Sequence, residues 1–166
     1  MRYRGSGAPV ILGRSEGSID SLGLSRDSVF WADTLAGAIV SAPKAGGAAR
    51  VLAEERGLPE KLVTDGTTLC WIERRSESLW TMPASGGVPR RMTEDIAGFA
   101  HLLVDARGVW WSNEAAVDGA FRVLGSTHAG EAIVSSPPAS AIDALATDGR
   151  DLFWERDGAV SRVDAP

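Results

Sequence analysis

The 166-residue chain has a single cysteine, Cys70, so neither an intrachain disulfide nor a cysteine-based zinc site can form. It has no apolar run near the ~18 residues of a membrane-crossing helix. Its first apolar run, Pro9 to Leu12, is too short for the core of a signal peptide. These absences predict no membrane insertion. The chain as written is expected to be cytoplasmic, or secreted or periplasmic if its true start lies upstream. Lysine is nearly missing: two lysines stand against 15 arginines amid much alanine and glycine, the composition of a GC-rich bacterial coding sequence. Basic residues are in deficit overall, 17 against 22 acidic, for a net charge of −5. A nucleic-acid binder needs the opposite balance to displace counterions from phosphate, so that class is excluded. No segment has a helical apolar period. Gly5-Ser-Gly7 lacks the strand–helix setting and the lysine of a phosphate loop.

What the chain does have is a repeat. Trp31, Trp71, Trp111 and Trp154 close four versions of one phrase, at spacings of 40, 40 and 43 residues. Nine residues before each stands a leucine: Leu22, Leu62, Leu102 and Leu145. Two before stand Val29, Leu69, Val109 and Leu152, and six before stand Ser25, Asp65, Asp105 and Asp148. Periodicity of this length marks a repeat architecture.

Each unit reads as four short strands. The first runs through the leucine: Ser21–Leu24, Lys61–Thr64, His101–Val104 and Ala144–Thr147. Asp65-Gly66 and Asp148-Gly149 are hairpin dipeptides, since both residues tolerate the positive φ of a tight turn. The second strand ends at the tryptophan and is apolar on both faces, as expected of a strand covered on both sides. Cys70 falls in this strand, where other copies have Phe30, Trp110 and Phe153, so it reads as packing. The third strands are expected within Gly37–Pro43, Ser78–Pro83, Gly119–Gly125 and Gly158–Val163. Glycine turns then lead to fourth strands at Arg50–Ala53, Arg90–Thr93 and Glu131–Val134. Four antiparallel strands per ~40 residues is the make-up of a β-propeller blade. The expectation is a single all-β domain, 1–166, with four visible blades at about 19–60, 61–100, 101–141 and 142–166. Residues 5–12 match the fourth-strand frame of residues 86–92, so 1–18 are expected to supply the last strand of the last blade. That strand would run through Val10–Leu12 beside Ala159–Val163 and close a four-bladed ring. The other outcome is part of a larger propeller.

Val-Phe-Trp-Ala-Asp at Val29–Asp33, followed by the Gly37-to-Gly47 stretch, resembles the repeat of YWTD-type β-propellers. The resemblance spans nearly the whole chain, with degenerate copies at Trp71-Ile72-Glu73 and Trp154-Glu155-Arg156. That family normally has six blades. The resemblance implies that Asp33, Glu73 and Asn113, at the fourth motif position, make structural hydrogen bonds between blades.

In a propeller, the loops entering the first strands and leaving the second strands share one face, and loops on a rigid scaffold are where binding residues lie. The candidates there are Glu73, Arg74, Asn113, Glu155 and Arg156, with Glu16, Arg56, Arg75, Glu114 and Asp118 beside them. Eleven residues before the tryptophans stand Asp20, Glu60, Ala100 and Asp143. Three carboxylates at equivalent positions could converge on the channel mouth and hold Ca²⁺, with His101 beside the gap. No catalytic residue is assigned. The expected function is a non-catalytic binding scaffold for a protein, peptide or glycan. The alternatives are a metal-dependent lactonase or hydrolase, and a truncated piece of a longer propeller without a function of its own.

Overall fold

The structure is a computed structural model that describes residues 8–15, 17–93, 99–113, 123–127, 130–135 and 142–164. Every regular element among these is a β-strand, and the strands form four antiparallel sheets. The first sheet is β1 (Leu22–Leu24), β2 (Ser28–Asp33), β3 (Ala38–Pro43) and β4 (Arg50–Ala53). The second is β5 (Pro59–Thr64), β6 (Thr68–Glu73), β7 (Ser78–Pro83) and β8 (Arg90–Thr93). The third is β9 (Phe99–Asp105), β10 (Gly108–Asn113), β11 (Val123–Thr127) and β12 (Gly130–Ser135). The fourth has three strands, β13 (Ala144–Thr147), β14 (Asp151–Arg156) and β15 (Ala159–Asp164). Each strand pairs with its neighbour in sequence, so each sheet is a meander, the blade of an all-β propeller fold.

The repeat pattern has one packing rule. Odd and even residues of a strand point to opposite faces, so each second strand presents one set backwards and the other forwards. Trp71 and Leu69 of β6 pack with Leu62 against Phe30, Ala32 and Ile39 of the first blade. Cys70 and Ile72, the alternate residues, pack forward against Leu102, Val109 and Trp111 of the third blade. Trp110 packs forward on Leu145, Leu152 and Trp154 of the fourth. The repeated tryptophan therefore always looks backwards, and its flanking residues look forwards. All four repeat tryptophans are buried. Trp110, the bulkiest residue at its position, is accommodated by Gly125 opposite it on β11, where a Cβ would collide with the indole.

Two expectations are corrected. In the third unit the strand expected within Gly119–Gly125 is β11, Val123–Thr127, with Leu124 opposite Trp111. In the second unit it is Trp80 that lies opposite Trp71, so the extra residues of the third unit fall in the β10–β11 connection, which lies outside the described residues. The second correction concerns closure. Residues 8–15 form no strand, and Val10 and Ile11 are exposed. Among the described residues, the fourth sheet consists of β13, β14 and β15. The segment instead crosses the backward face of the first blade, where Gly13 is so close to the Trp31 ring that only a residue without a Cβ fits.

Candidate functional site

On the face formed by the loops entering first strands and leaving second strands, two arginines hold two carboxylates. Arg56 lies 3.3 Å from Glu73, and its guanidinium stacks 4.7 Å from the centre of the Trp80 ring. The Trp71 indole N–H points at the same Glu73 carboxylate at 3.5 Å. Glu73 is buried, so this expected binding residue is built into the seam between the first two blades. Trp31 has the shorter Asp33 at the matching position. The Asp33 carboxylate instead accepts the turn amide of Ala36 at 3.1 Å, and Trp31 Nε1 has no hydrogen-bond partner among the described residues. The blades are joined here by Thr34, whose hydroxyl donates to the Pro59 carbonyl at 2.9 Å.

The acidic set is not equivalent. A β-bulge lies between Glu60 and Val63, where Lys61 adopts a φ of 49°, and it re-aims the chain at Glu60. Glu60 is buried while Asp20 and Asp143 are exposed. Glu60 is also ion-paired with Arg74. The hydrogen bond and charge of Glu60 raise the Arg74 pKa, with a smaller contribution from Asp20. The expected set of three unopposed carboxylates is therefore broken by a cation from the neighbouring loop. Among the described residues, no three His, Cys, Asp or Glu side chains are grouped closely enough to hold a metal ion.

Of the other candidates, Glu155 accepts the Gly158 amide at 2.7 Å and so shapes the β14–β15 turn. Arg156 lies 3.9 Å from Asp157. Asn113 ends β10; its side chain, like Glu16, Glu114 and Asp118, lies outside the described residues. His101 Nδ1 is 3.2 Å from the hydroxyl of Ser112, which is fully buried. Arg74 and Arg75 are the candidates on this face that present exposed charge.

The opposite face, made by the first hairpin turn of each blade, is built on the residues that recur six before each tryptophan. The residue six before each tryptophan caps its own turn. Asp65 accepts the amides of Thr67 and Thr68, both at 2.8 Å, and Asp148 accepts those of Arg150 and Asp151, both at 2.8 Å. Ser25 does the same for Ser28 at 3.1 Å. Asp105 adds links across blades. Its carboxylate accepts the Arg107 amide at 2.9 Å and the Arg107 guanidinium at 2.6 Å, and the Thr147 hydroxyl of the next blade donates to it at 3.0 Å. Arg107 also donates to the Arg150 carbonyl. Burial would raise the Asp105 pKa, but these donors outweigh it and hold the carboxyl down at about 2. At Asp65 burial is likewise outweighed by turn amides, and Asp148 is lowered by its amides.

Between these turns runs a groove of about 1000 Å³ that spans the second, third and fourth blades. Thr67, Thr68 and Arg90 come from the second blade, Asp105 from the third and Thr147 from the fourth, over apolar ground that includes Met92 and Val109. Arg90 is exposed. The signal for this site was in the sequence as the recurrent Asp-Gly turns, which converge because the blades are in phase.

No family model matches the chain, and no curated protein matches it. Solved structures do. A chain of the nidogen/laminin complex is 17% identical with a TM-score of 0.69, over 88% of this chain and 60% of that one. The computationally designed Ika4 protein is 14% identical with a TM-score of 0.68, over 98% of this chain and 100% of that one. A catalytically inactive virginiamycin B lyase from Staphylococcus aureus, solved with quinupristin, is 11% identical with a TM-score of 0.66, over 93% of this chain and 54% of that one. The chain thus spans a little over half the length of two of the three proteins. At these identities the likeness is one of fold, and the fold it supports is the β-propeller.

Proposed function

We propose that the chain is a non-catalytic binding scaffold of the YWTD-like propeller type, and that an extended polypeptide segment lies in the groove between the hairpin turns. The groove is the observation that carries this reading. Its lining comes from three blades and mixes apolar Met92, Val104 and Val109 with polar Thr67 and Arg90. Its walls are turns already pinned by their own aspartates, so binding would order little further chain, which favours affinity. The carboxylates there are held ionised, a state suited to capping amides rather than to donating protons near neutral pH. The nidogen/laminin complex, a protein–protein assembly in its own right, supports a polypeptide over a glycan as the ligand class.

The test is selection of peptides from a displayed random library on the immobilised chain. Selected peptides should bind Thr67→Trp, which fills the groove, at least about tenfold more weakly, a loss of ~1.4 kcal/mol. Arg90→Glu should weaken those carrying acidic residues. Arg75→Ala, on the opposite face, should leave binding unchanged. Peptides that respond to Arg75→Ala and ignore Thr67→Trp would move the site to the other face. A library that yields no binder counts against the scaffold reading itself.

A further inference from the structure

The blade-to-blade interface is repeated three times, and among the described residues two further halves of it are left uncovered. Leu22 on β1 is 64% exposed, although its counterparts Leu62, Leu102 and Leu145 are all buried against a preceding blade. Leu24 beside it is exposed too. At the other end, Val160 on β15 is 75% exposed. Its counterparts by strand register are Ile39 and Leu79, opposite Ala32 and Ile72 as Val160 is opposite Glu155, and both are buried against a following blade. One backward face and one forward face therefore remain open. They are complementary halves of an interface this chain already makes.

The segment before β1 fits this shape. In the 40-residue frame Gly13 corresponds to Ala53, the last residue of β4. Ala53 lies in the cluster around Trp71. Gly13 lies against Trp31. Residues 8–13 therefore sit on the first blade as the fourth strand of a preceding blade would, without that blade's other three strands. Among the described residues, the fourth sheet has those three strands and no fourth. Among the described residues its edge, β15, has no partner on its outer side, and an open edge with apolar neighbours invites another chain.

We propose that two copies of this chain close into one ring. The forward face of each last blade docks on the backward face of the partner's first blade, and residues 8–13 of each copy add the fourth strand to the other's β15. Front-to-back contacts that close satisfy both open faces at once and leave no further docking surface. The register is set by the internal copies. Val40 pairs with Val51 and Trp80 with Arg91, which places Ile11 opposite Ser161 of the partner.

Light scattering on the eluted wild-type chain should give twice the 17.5 kDa chain mass. Leu22→Glu and Val160→Glu, both at exposed positions, should each yield monomers. Mixed together, they should form a heterodimer through the one interface left intact. The pair Ile11→Cys and Ser161→Cys should oxidise to a species of twice the chain mass on a non-reducing gel. A monomeric wild type overturns the proposal, as does a dimer indifferent to Val160→Glu. A cross-link formed within one chain would also overturn it, in favour of a closed four-bladed ring.

Discussion

Arg107 and Asp105 meet at 2.6 Å, and the same guanidinium reaches Thr147 of the next blade at 3.2 Å. This contact ties the third blade to the fourth, where the apolar cluster rests on few residues. It also has a defined pH signature. The folded Asp105 titrates at about 2 against an ordinary 3.8, so its stabilisation is complete above the ordinary value and is lost as pH falls from there through 2. Asp65 and Asp148, also lowered, act in the same sense. A shift of this size corresponds to ~2 kcal/mol. Urea unfolding at pH 7 should show Asp105→Asn less stable than wild type by ~1–2 kcal/mol, and at pH 2 the two should converge. A gap that persists unchanged at pH 2 would mean that the carboxylate charge is not what matters.

The repeated tryptophan should dominate core energetics. Trp71 is fully buried between the first two blades, so Trp71→Ala should cost ~3–5 kcal/mol through the cavity it leaves. Leu62→Ala, in the same cluster, should cost ~2–5 kcal/mol. Leu22→Ala, at the same repeat position but exposed, should cost under ~1 kcal/mol in a monomeric background. Denaturant titration of the three variants checks the ordering. Equal losses at Leu22 and Leu62 would contradict an open first blade.

Most of the fold was legible because the repeat supplies its own alignment. The strand order of each blade, the turns at Asp65 and Asp148, and the packing of Cys70 all followed from one periodic phrase. Burial pushes the Cys70 thiol up to about 12, as befits a packed residue. Less legible were the features in which the copies differ. Glu60 was grouped with Asp20 and Asp143 by spacing, but a bulge at Lys61 turns its surroundings and Arg74 neutralises it. Neither was visible, because the extra residue of the bulge leaves the spacing of Glu60 from Trp71 the same as that of Asp20 from Trp31, and an ion pair between loops has no period. The strand expected at Val10–Leu12 matched the frame of a fourth strand, yet a frame match does not say which blade receives the strand. The groove escaped notice because its walls are residues that serve the turns first.

Glu73 tests the seam between the first two blades. It is buried, touches Arg56 at 3.3 Å and faces the Trp71 indole at 3.5 Å. Removing one partner of such a pair strands the other group without its counter-charge. Glu73→Ala should cost ~2–3 kcal/mol, discounted because Arg56 retains some access to water. Arg56→Met and Arg56→Ala both remove the guanidinium that stacks on Trp80, but Met keeps an aliphatic side chain in the seam and should cost less. If the two Arg56 variants are equally destabilised in chemical denaturation, the aliphatic stem contributes nothing.

Calcium is the sharpest probe of the acidic set. A cation stabilises the folded state by mass action only where it binds that state more tightly than the unfolded chain. Glu60 already faces Arg74, so entry of Ca²⁺ would have to displace a bonded guanidinium, and Asp20 and Asp143 are exposed with hydration of their own. The expected outcome is a wild-type melting temperature unchanged by calcium at millimolar concentration. Arg74→Ala removes the competing cation, so any calcium response should emerge in that variant and vanish again when Glu60→Gln is added. A wild-type melting temperature that rises with calcium, and whose rise Glu60→Gln blunts, would instead restore the metal site and with it the reading of the chain as a metal-dependent hydrolase.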